Sequence, residues 1–140
     1  MSATALTFIM DWEQCRLKAY LDSGGVCTVG WGATGPDIAI DTIWTQDQAD
    51  ARLREDLQVA LDAVHQHVTR PLTDNQEAAL ASFVFNLGET QFVKSTLLRK
   101  IKEGDDIGTA LEFVKWHYDN GKKVKGLLRR RLDEAALFLK

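Results

Sequence analysis

The apolar residues of this chain change their spacing at Thr45, and the glycines are distributed to match. Five of the ten glycines, Gly24, Gly25, Gly30, Gly32 and Gly35, lie within residues 16–44. Around them Val26, Thr28 and Val29 alternate apolar with polar, and Ile38, Ile40 and Ile43 follow. A period of two with glycine-bearing turns predicts a small antiparallel sheet. After Thr45 the period becomes three to four. Ala49, Leu53, Leu57, Leu61, Val64 and Val68 recur in this way, which predicts a long amphipathic helix ending before Pro71.

The remaining punctuation is helical. Thr45 with Gln48, and Thr73 with Gln76, have the Thr-x-x-Gln spacing of a capping box, in which the two side chains satisfy each other's free N–H groups. Ala79, Leu80, Phe83, Val84 and Leu87 follow the second box, and Gly88 supplies a stop. Further helices are expected through Leu97, Leu98 and Ile101, from Ile107 to Trp116, and from about Gly126 to Leu139, with a turn at Asn120-Gly121. The first helix is expected over residues 3–14, capped by Ser2 or Thr4, with Leu6, Phe8, Ile9 and Met10 on its apolar side. The fold class is therefore α+β and mainly helical. One domain over residues 1–140 is expected, with a β-rich lobe at about 15–45 and a helical lobe made of 1–14 and 46–140. A sheet joined to a helical lobe leaves a cleft, where ligands usually sit.

Composition excludes several classes. With 45% hydrophobic and 26% charged residues, the chain is neither a disordered tail nor a collagenous one. No apolar run approaches the ~18 residues of a spanning helix. The first residues, MSATALTFIMDWE, have no basic region and carry Asp11 and Glu13, unlike a secretory leader. A chain made and first retained in the cytoplasm, with no stable membrane insertion, is the expectation. Cys15 and Cys27 are then expected to be free thiols. No His/Cys cluster has metal-ligand spacing, so no metal or cofactor is expected. His65 and His67 are two apart on a helix and point to different faces, as a solvated pair.

Charge is uneven along the chain. Residues 1–91 hold 5 basic and 13 acidic side chains, and residues 92–140 hold 12 basic and 7 acidic. Between Lys115 and Arg131, seven basic residues face one acid, Asp119. Such a stretch suits an anionic polymer, or is simply a solvated helix face.

Glu13, Asp22 and Thr28 are spaced to line one side of a cleft between the first helix and the sheet. Two carboxylates flanking a sugar are what glycoside hydrolysis needs, one protonated in a poorly solvated place and the other ionised. Spacing alone leaves other roles open. Glu13 could pair with an arginine of the 129–131 run, Asp22 could form the turn before Gly24-Gly25, and Thr28 could be an ordinary strand residue.

Residues 13–22, EQCRLKAYLD, and then Thr28-Val29-Gly30-Trp31-Gly32 resemble the signature of bacteriophage-type lysozymes, glycoside hydrolase family 24. That signature is a Glu, then R-L-x-A-Y-x-D, then T-x-G-x-G. Residues 73–88, TDNQEAALASFVFNLG, resemble the family's N-Q-x-x-A-L-x-S-F-x-F-N-x-G helix. Residues 92–97, FVKSTL, resemble F-x-x-S-T-L, and Trp116 with Gly126-Leu127 and Arg129 to Arg131 resembles W…G-L-x-x-R-R. Five ordered motifs agree, and the match runs from about residue 8 to 138.

The resemblance implies a lysozyme-like fold and a muramidase. Such an enzyme cleaves the β-1,4 bond between N-acetylmuramic acid and N-acetylglucosamine in peptidoglycan. It implies Glu13 as general acid, Asp22 as the carboxylate that stabilises the sugar cation and activates water, and Thr28 as the holder of that water. It leans towards inversion, which expects carboxyl groups roughly 6.5–9.5 Å apart. Phe85, Asn86 and Ser95 are expected to contact sugar from the far wall, and Trp116 to pack in the core. The implied partner is the glycan strand of peptidoglycan. A holin-type protein would open the membrane so that a monomeric enzyme, without nucleic acid or cofactor, reaches the periplasmic wall.

The chain departs from the family's pattern at three positions. Gln14 stands where Gly is common, Ala33 where His often follows G-x-G, and Trp31 where the aromatic is often Tyr. Gln14 could touch Glu13 or narrow the cleft, and the loss of His bears on local stability. The competing readings are a non-catalytic glycan-binding or regulatory paralogue, supported by Gln14 and Ala33, and a nucleic-acid-binding module on Lys115–Arg131, supported by that stretch alone. The same stretch could hold the acidic wall polymer, and replacing Arg129 and Arg130 by Glu is then expected to weaken substrate binding or raise salt sensitivity.

Overall fold

The computed structural model describes residues 3–119 and 121–140. Ser2 and Asn120, named above as a cap and a turn residue, lie outside the described residues.

Helix α1 (Ala3–Trp12) buries Ala5 and Ile9, which lie four apart on one face. It ends two residues earlier than the sequence spacing predicts. Glu13 is already outside, although its N–H still donates to the Ile9 carbonyl at 2.9 Å. Strands β1 (Arg16–Leu21) and β2 (Cys27–Gly30) form the antiparallel hairpin, with Tyr20 opposite Thr28 and Leu21 opposite Cys27. The register shifts between Arg16 and Tyr20, a bulge that bends the hairpin. The chain returns along β1 without forming a full strand: the Trp44 and Ala19 N–H groups donate to the Leu17 and Thr42 carbonyls at 2.8 and 2.9 Å. This lobe has its own small core of Ala19, Val29, Ala33 and Ile38. Ile40 and Ile43, counted with the sheet from sequence, are exposed.

Helix α2 (Gln46–His67) opens with the expected capping box at Thr45 and Gln48. At ~33 Å long, it joins the two lobes. Ala49, near its start, sits against Gly30 of β2, while Val64 and Ala60 reach the helical core. Helix α3 (Asp74–Leu87) also has its capping box, at Thr73 and Gln76. Residues 78–84 of α3 are all buried, so this helix is covered on every side and forms the centre of the helical lobe. Around it pack α4 (Glu89–Lys94), α5 (Thr96–Lys102), α6 (Asp106–Val114) and α7 (Lys125–Leu139). Phe83 of α3 makes edge-on contacts with Phe92, Phe113 and Trp116 at centroid distances of 6.3, 5.6 and 5.5 Å. Trp116 is thus a core residue, as expected.

Three features lie beyond the sequence reading. The six residues of α4 form a helix of their own, because Gly88, at φ +91°, turns the chain between α3 and α4. Strands β3 (Tyr118–Asp119) and β4 (Lys122–Lys123) make a second, two-residue hairpin before α7. The two histidines are not merely solvated. His65 Nε2 lies 2.9 Å from Glu77 of α3 and His67 Nε2 lies 3.7 Å from Glu89 of α4, so each ties α2 to a different helix. Both cysteines are free. No helix of the described residues is long and apolar enough to cross a membrane.

Candidate active site

Glu13 leaves α1 at the junction of the two lobes. Arg130 of α7, itself 5% exposed, donates from Nη1 to Glu13 Oε1 at 2.9 Å. The pairing with the 129–131 run is therefore made by the middle arginine. The other oxygen rests against Gly32: a Cβ at that position would lie 2.9 Å from Glu13 Oε2. Gly32 has φ +87°, a left-handed conformation that suits glycine. Its missing side chain lets the backbone and the carboxyl group approach each other. Gly32 also lines a cleft of about 340 Å³ between the β-lobe and the helices, with Thr34, Arg52, Asp56, Phe85 and Glu89 among its walls. Glu13 is thus held behind the cleft wall by a guanidinium on one side and a glycine on the other. Gln14 is exposed, and the contacts to Glu13 come from Arg130 and Gly32 instead.

Asp22 and Thr28 belong to the β1–β2 hairpin. Asp22 Oδ1 accepts the N–H groups of Gly24 and Val26 at 2.8 and 2.9 Å, so the carboxylate does build the turn. Thr28 is 4% exposed and donates its hydroxyl to the Val26 carbonyl at 2.9 Å. Tyr20 stands opposite Thr28, and Asp22 follows two residues after Tyr20. Alternation along the strands therefore puts Tyr20 and Thr28 on one face of the hairpin, while Asp22 follows in the turn beyond β1. The Arg16 guanidinium stacks 4.4 Å from the centroid of the Tyr20 ring, which accounts for the Arg and Tyr of the R-L-x-A-Y-x-D motif.

The sequence Gly30-Trp31-Gly32 locks this hairpin to α2. Trp31 Nε1 donates to Asp50 Oδ1 at 2.8 Å, and Gln46 Nε2 donates to the same oxygen at 2.9 Å. The Trp31 bond, with that from Gln46, holds the Asp50 carboxyl below its ordinary range. Ala33 exchanges backbone hydrogen bonds with Val29 and fills the β-lobe core, so a small apolar group occupies the place where the family often has His.

Residues 10–134 match the Phage lysozyme family. The chain belongs to that family. It is 42% identical to an endolysin of Acyrthosiphon pisum secondary endosymbiont phage 1, over 99% of this chain and 97% of that protein. Its fold matches a crystal structure of a P22 lysozyme with TM-score 0.83 and 35% identity, covering 100% of this chain and 98% of that one. It also matches the muramidase domain of SpmX from Asticaccaulis excentricus with TM-score 0.89 and 35% identity, covering 99% and 97%. This phage lysozyme is accordingly a glycoside hydrolase that degrades peptidoglycan.

The other expected contact residues of the lysozyme are placed unequally. Phe85 of α3 lines the cleft. Asn86, one residue on, accepts at its Oδ1 from Arg131 Nη2 at 2.9 Å. Ser95 departs from the expectation. Its hydroxyl donates to the Phe92 carbonyl at 2.6 Å and accepts the Leu98 N–H at 3.1 Å, capping α5. Both of its hydrogen-bonding functions are engaged in joining α4 to α5.

The sequence reading also missed a buried ionic group behind Glu13. Glu134 and Arg131 are both 0% exposed, and Glu134 Oε1 lies 2.6 Å from Arg131 Nε. Arg130, Arg131 and Glu134 stand at i, i+1 and i+4 on α7, a spacing that marks an ionic cluster on one helix and was available in the sequence.

This cluster revises the expected basic surface. Arg130 and Arg131 are consumed inside, and Lys115 pairs with Glu112 at 3.0 Å. Lys122, Lys123, Lys125 and Arg129 remain exposed on the second hairpin and the start of α7. A test of encounter with an acidic polymer must use these residues, since Arg130 touches Glu13. Reversing Lys122, Lys123 and Arg129 to Glu is expected to slow lysis at low ionic strength by about 3- to 10-fold. The difference from wild type should shrink as salt rises. Turbidity clearing across an ionic-strength series measures this, and parallel curves would rule out an electrostatic contribution.

Proposed function

We propose that Glu13, Asp22 and Thr28 form the catalytic set of an inverting muramidase. The observation that carries this reading is the Glu13 carboxyl group held between Arg130 Nη1 and Gly32, a residue of the cleft wall. Glu13 protonates the glycosidic oxygen between N-acetylmuramic acid and N-acetylglucosamine as the bond to the muramic C1 breaks. Asp22, on the exposed hairpin turn, stabilises the positive charge that develops on that ring and takes a proton from the incoming water. Thr28 already donates its hydroxyl proton to the Val26 carbonyl. Its oxygen is left to accept a hydrogen bond from that water and so to orient it. The proton balance closes: one leaves Glu13 for the departing sugar and one leaves water for Asp22. Phe85 offers a flat face to the glycan, and Asn86 keeps its Nδ2 group for a sugar oxygen.

The two lobes act as one catalytic domain and as a monomer, on the wall of the host after another protein of holin type has opened the inner membrane. Chemical analysis of the products tests the reading. Purified sacculi digested with the enzyme should release fragments with N-acetylmuramic acid at the new reducing end, initially as the α-anomer. N-acetylglucosamine ends would place the cut at the other bond, and β-anomers would replace inversion by a retaining route through Asp22.

A further inference from the structure

Behind Glu13 the helical lobe buries more charge than an acid catalyst needs. Arg130 and Arg131 are consecutive, and both guanidinium groups are removed from water. Arg130 reaches Glu13 with Nη1, while its Nε and Nη2 donate to Ser82 Oγ at 3.4 and 3.3 Å. Ser82, in the middle of α3, donates to Glu134 Oε2 at 2.5 Å, the short distance of a charge-assisted bond. Glu134 Oε2 also accepts from Arg131 Nη2 at 3.0 Å and lies 3.6 Å from Arg130 Nε. Arg131 Nη1 has no hydrogen-bond partner among the described residues, and the guanidinium carbon lies 5.4 Å from the centroid of the Phe83 ring. The chain Glu13–Arg130–Ser82/Glu134–Arg131 is thus continuous from the cleft wall to the core, with two guanidinium and two carboxyl groups.

We propose that Glu134 is a positioning residue for Glu13: it offsets the charge of Arg130 and Arg131, so that Arg130 can orient the Glu13 carboxyl without forcing it into the ionised form. This inference rests on Glu13 being the general acid. A guanidinium beside a carboxyl group favours the carboxylate, whereas an acid catalyst must hold its proton at working pH. Two buried guanidinium groups with Glu13 as their sole anion would favour the carboxylate more strongly still. Glu134 removes that excess from inside the protein, where solvent and salt screen little. No other ionisable side chain fills this role among the described residues. Glu112 of α6 turns to Lys115, Asp133 of α7 and Asp11 of α1 are exposed, and α3 contributes the neutral Ser82 and Asn86. Burial pushes the Glu134 carboxyl up, opposed by Arg131, Ser82 and Arg130, and burial pushes the Arg131 guanidinium down. Each charge therefore depends on the other for its place in the core.

The test uses opposite charge changes and the pH profile of cell clearing, with folding checked by thermal melting. Glu134→Gln leaves an excess positive charge near Glu13. The alkaline limb of its profile should move to lower pH by about one unit, a loss of about tenfold in rate above the limb. Arg131→Met removes one guanidinium while Ser82 and Arg130 still hold Glu134 at 2.5 and 3.6 Å, and should move the same limb to higher pH. The double variant Arg131→Met/Glu134→Gln removes one charge of each sign and should return the limb to its wild-type position. Loosening of the core cannot produce shifts of opposite sign. If one single variant fails to fold, the direction of the other decides. An unmoved limb in a folded single variant, or shifts of the same sign in both, would overturn the inference. Glu13→Gln separates the two levels. Clearing by that variant removes the assigned acid itself, whereas an inactive Glu13→Gln beside an unmoved limb removes only the role of Glu134.

Discussion

Glu13→Gln is expected to slow the clearing of permeabilised Gram-negative cells by at least about 10²- to 10⁴-fold, the usual contribution of a positioned general acid. The replacement keeps the shape of the side chain and an oxygen that can accept from Arg130 Nη1. It removes the group that can give up and take back a proton. The fold should survive. Arg130 retains Ser82 at 3.3–3.4 Å and Glu134 at 3.6 Å, and the Glu13 side chain is 21% exposed, so the lost pair is partly solvated. Circular dichroism and the melting temperature should stay close to wild type. Equal clearing by both proteins would show that another group supplies the proton. No clearing by wild type itself would return weight to a glycan-binding paralogue.

Gly32→Ala is expected to damage both stability and rate, for separable reasons. An alanine at φ +87° adopts a left-handed conformation at a cost of about 1–2 kcal/mol. For a chain of this length that lowers the melting temperature by roughly 3–10 °C. In addition, the new Cβ would stand 2.9 Å from Glu13 Oε2, so the carboxyl group must move. A displacement near 1 Å at a reacting group costs about a hundredfold in rate. Gly104→Ala is the control. Gly104 has φ +77°, follows α5, and has nothing within 4 Å of its would-be Cβ. It should share the stability loss and keep the rate per folded molecule. Equal rate losses in the two variants would mean that activity follows stability alone. A fully active Gly32→Ala would mean that the Glu13 carboxyl does not need its observed place.

The same contrast explains what could be read before folding. The capping boxes at Thr45 and Thr73, the stop at Gly88 and the apolar stripe of α2 depend on residues within a few positions of one another. They were legible because helix geometry fixes which neighbours meet. The turn role of Asp22 was legible for the same reason, since its side chain bonds the backbone two and four residues later. Motif resemblance supplied Glu13, Asp22 and Thr28 as a set, together with the family. Ser95 shows the limit of that route: within a matching motif, its hydroxyl became a helix cap.

The sequence by itself determined the starts of α2 and α3, the glycine-bearing hairpin and the three candidate reacting groups. Only the tertiary structure decided which arginine meets Glu13, across 117 residues of chain, and which of seven clustered cations stay in solvent. It alone placed Gly32 against the carboxyl group and gathered Ser82, Arg130, Arg131 and Glu134 into one buried cluster. Such contacts carry no periodic signal. They arise where α1, α3 and α7 are pressed together by the apolar faces that the local pattern does specify, and desolvation then fixes which charges must pair.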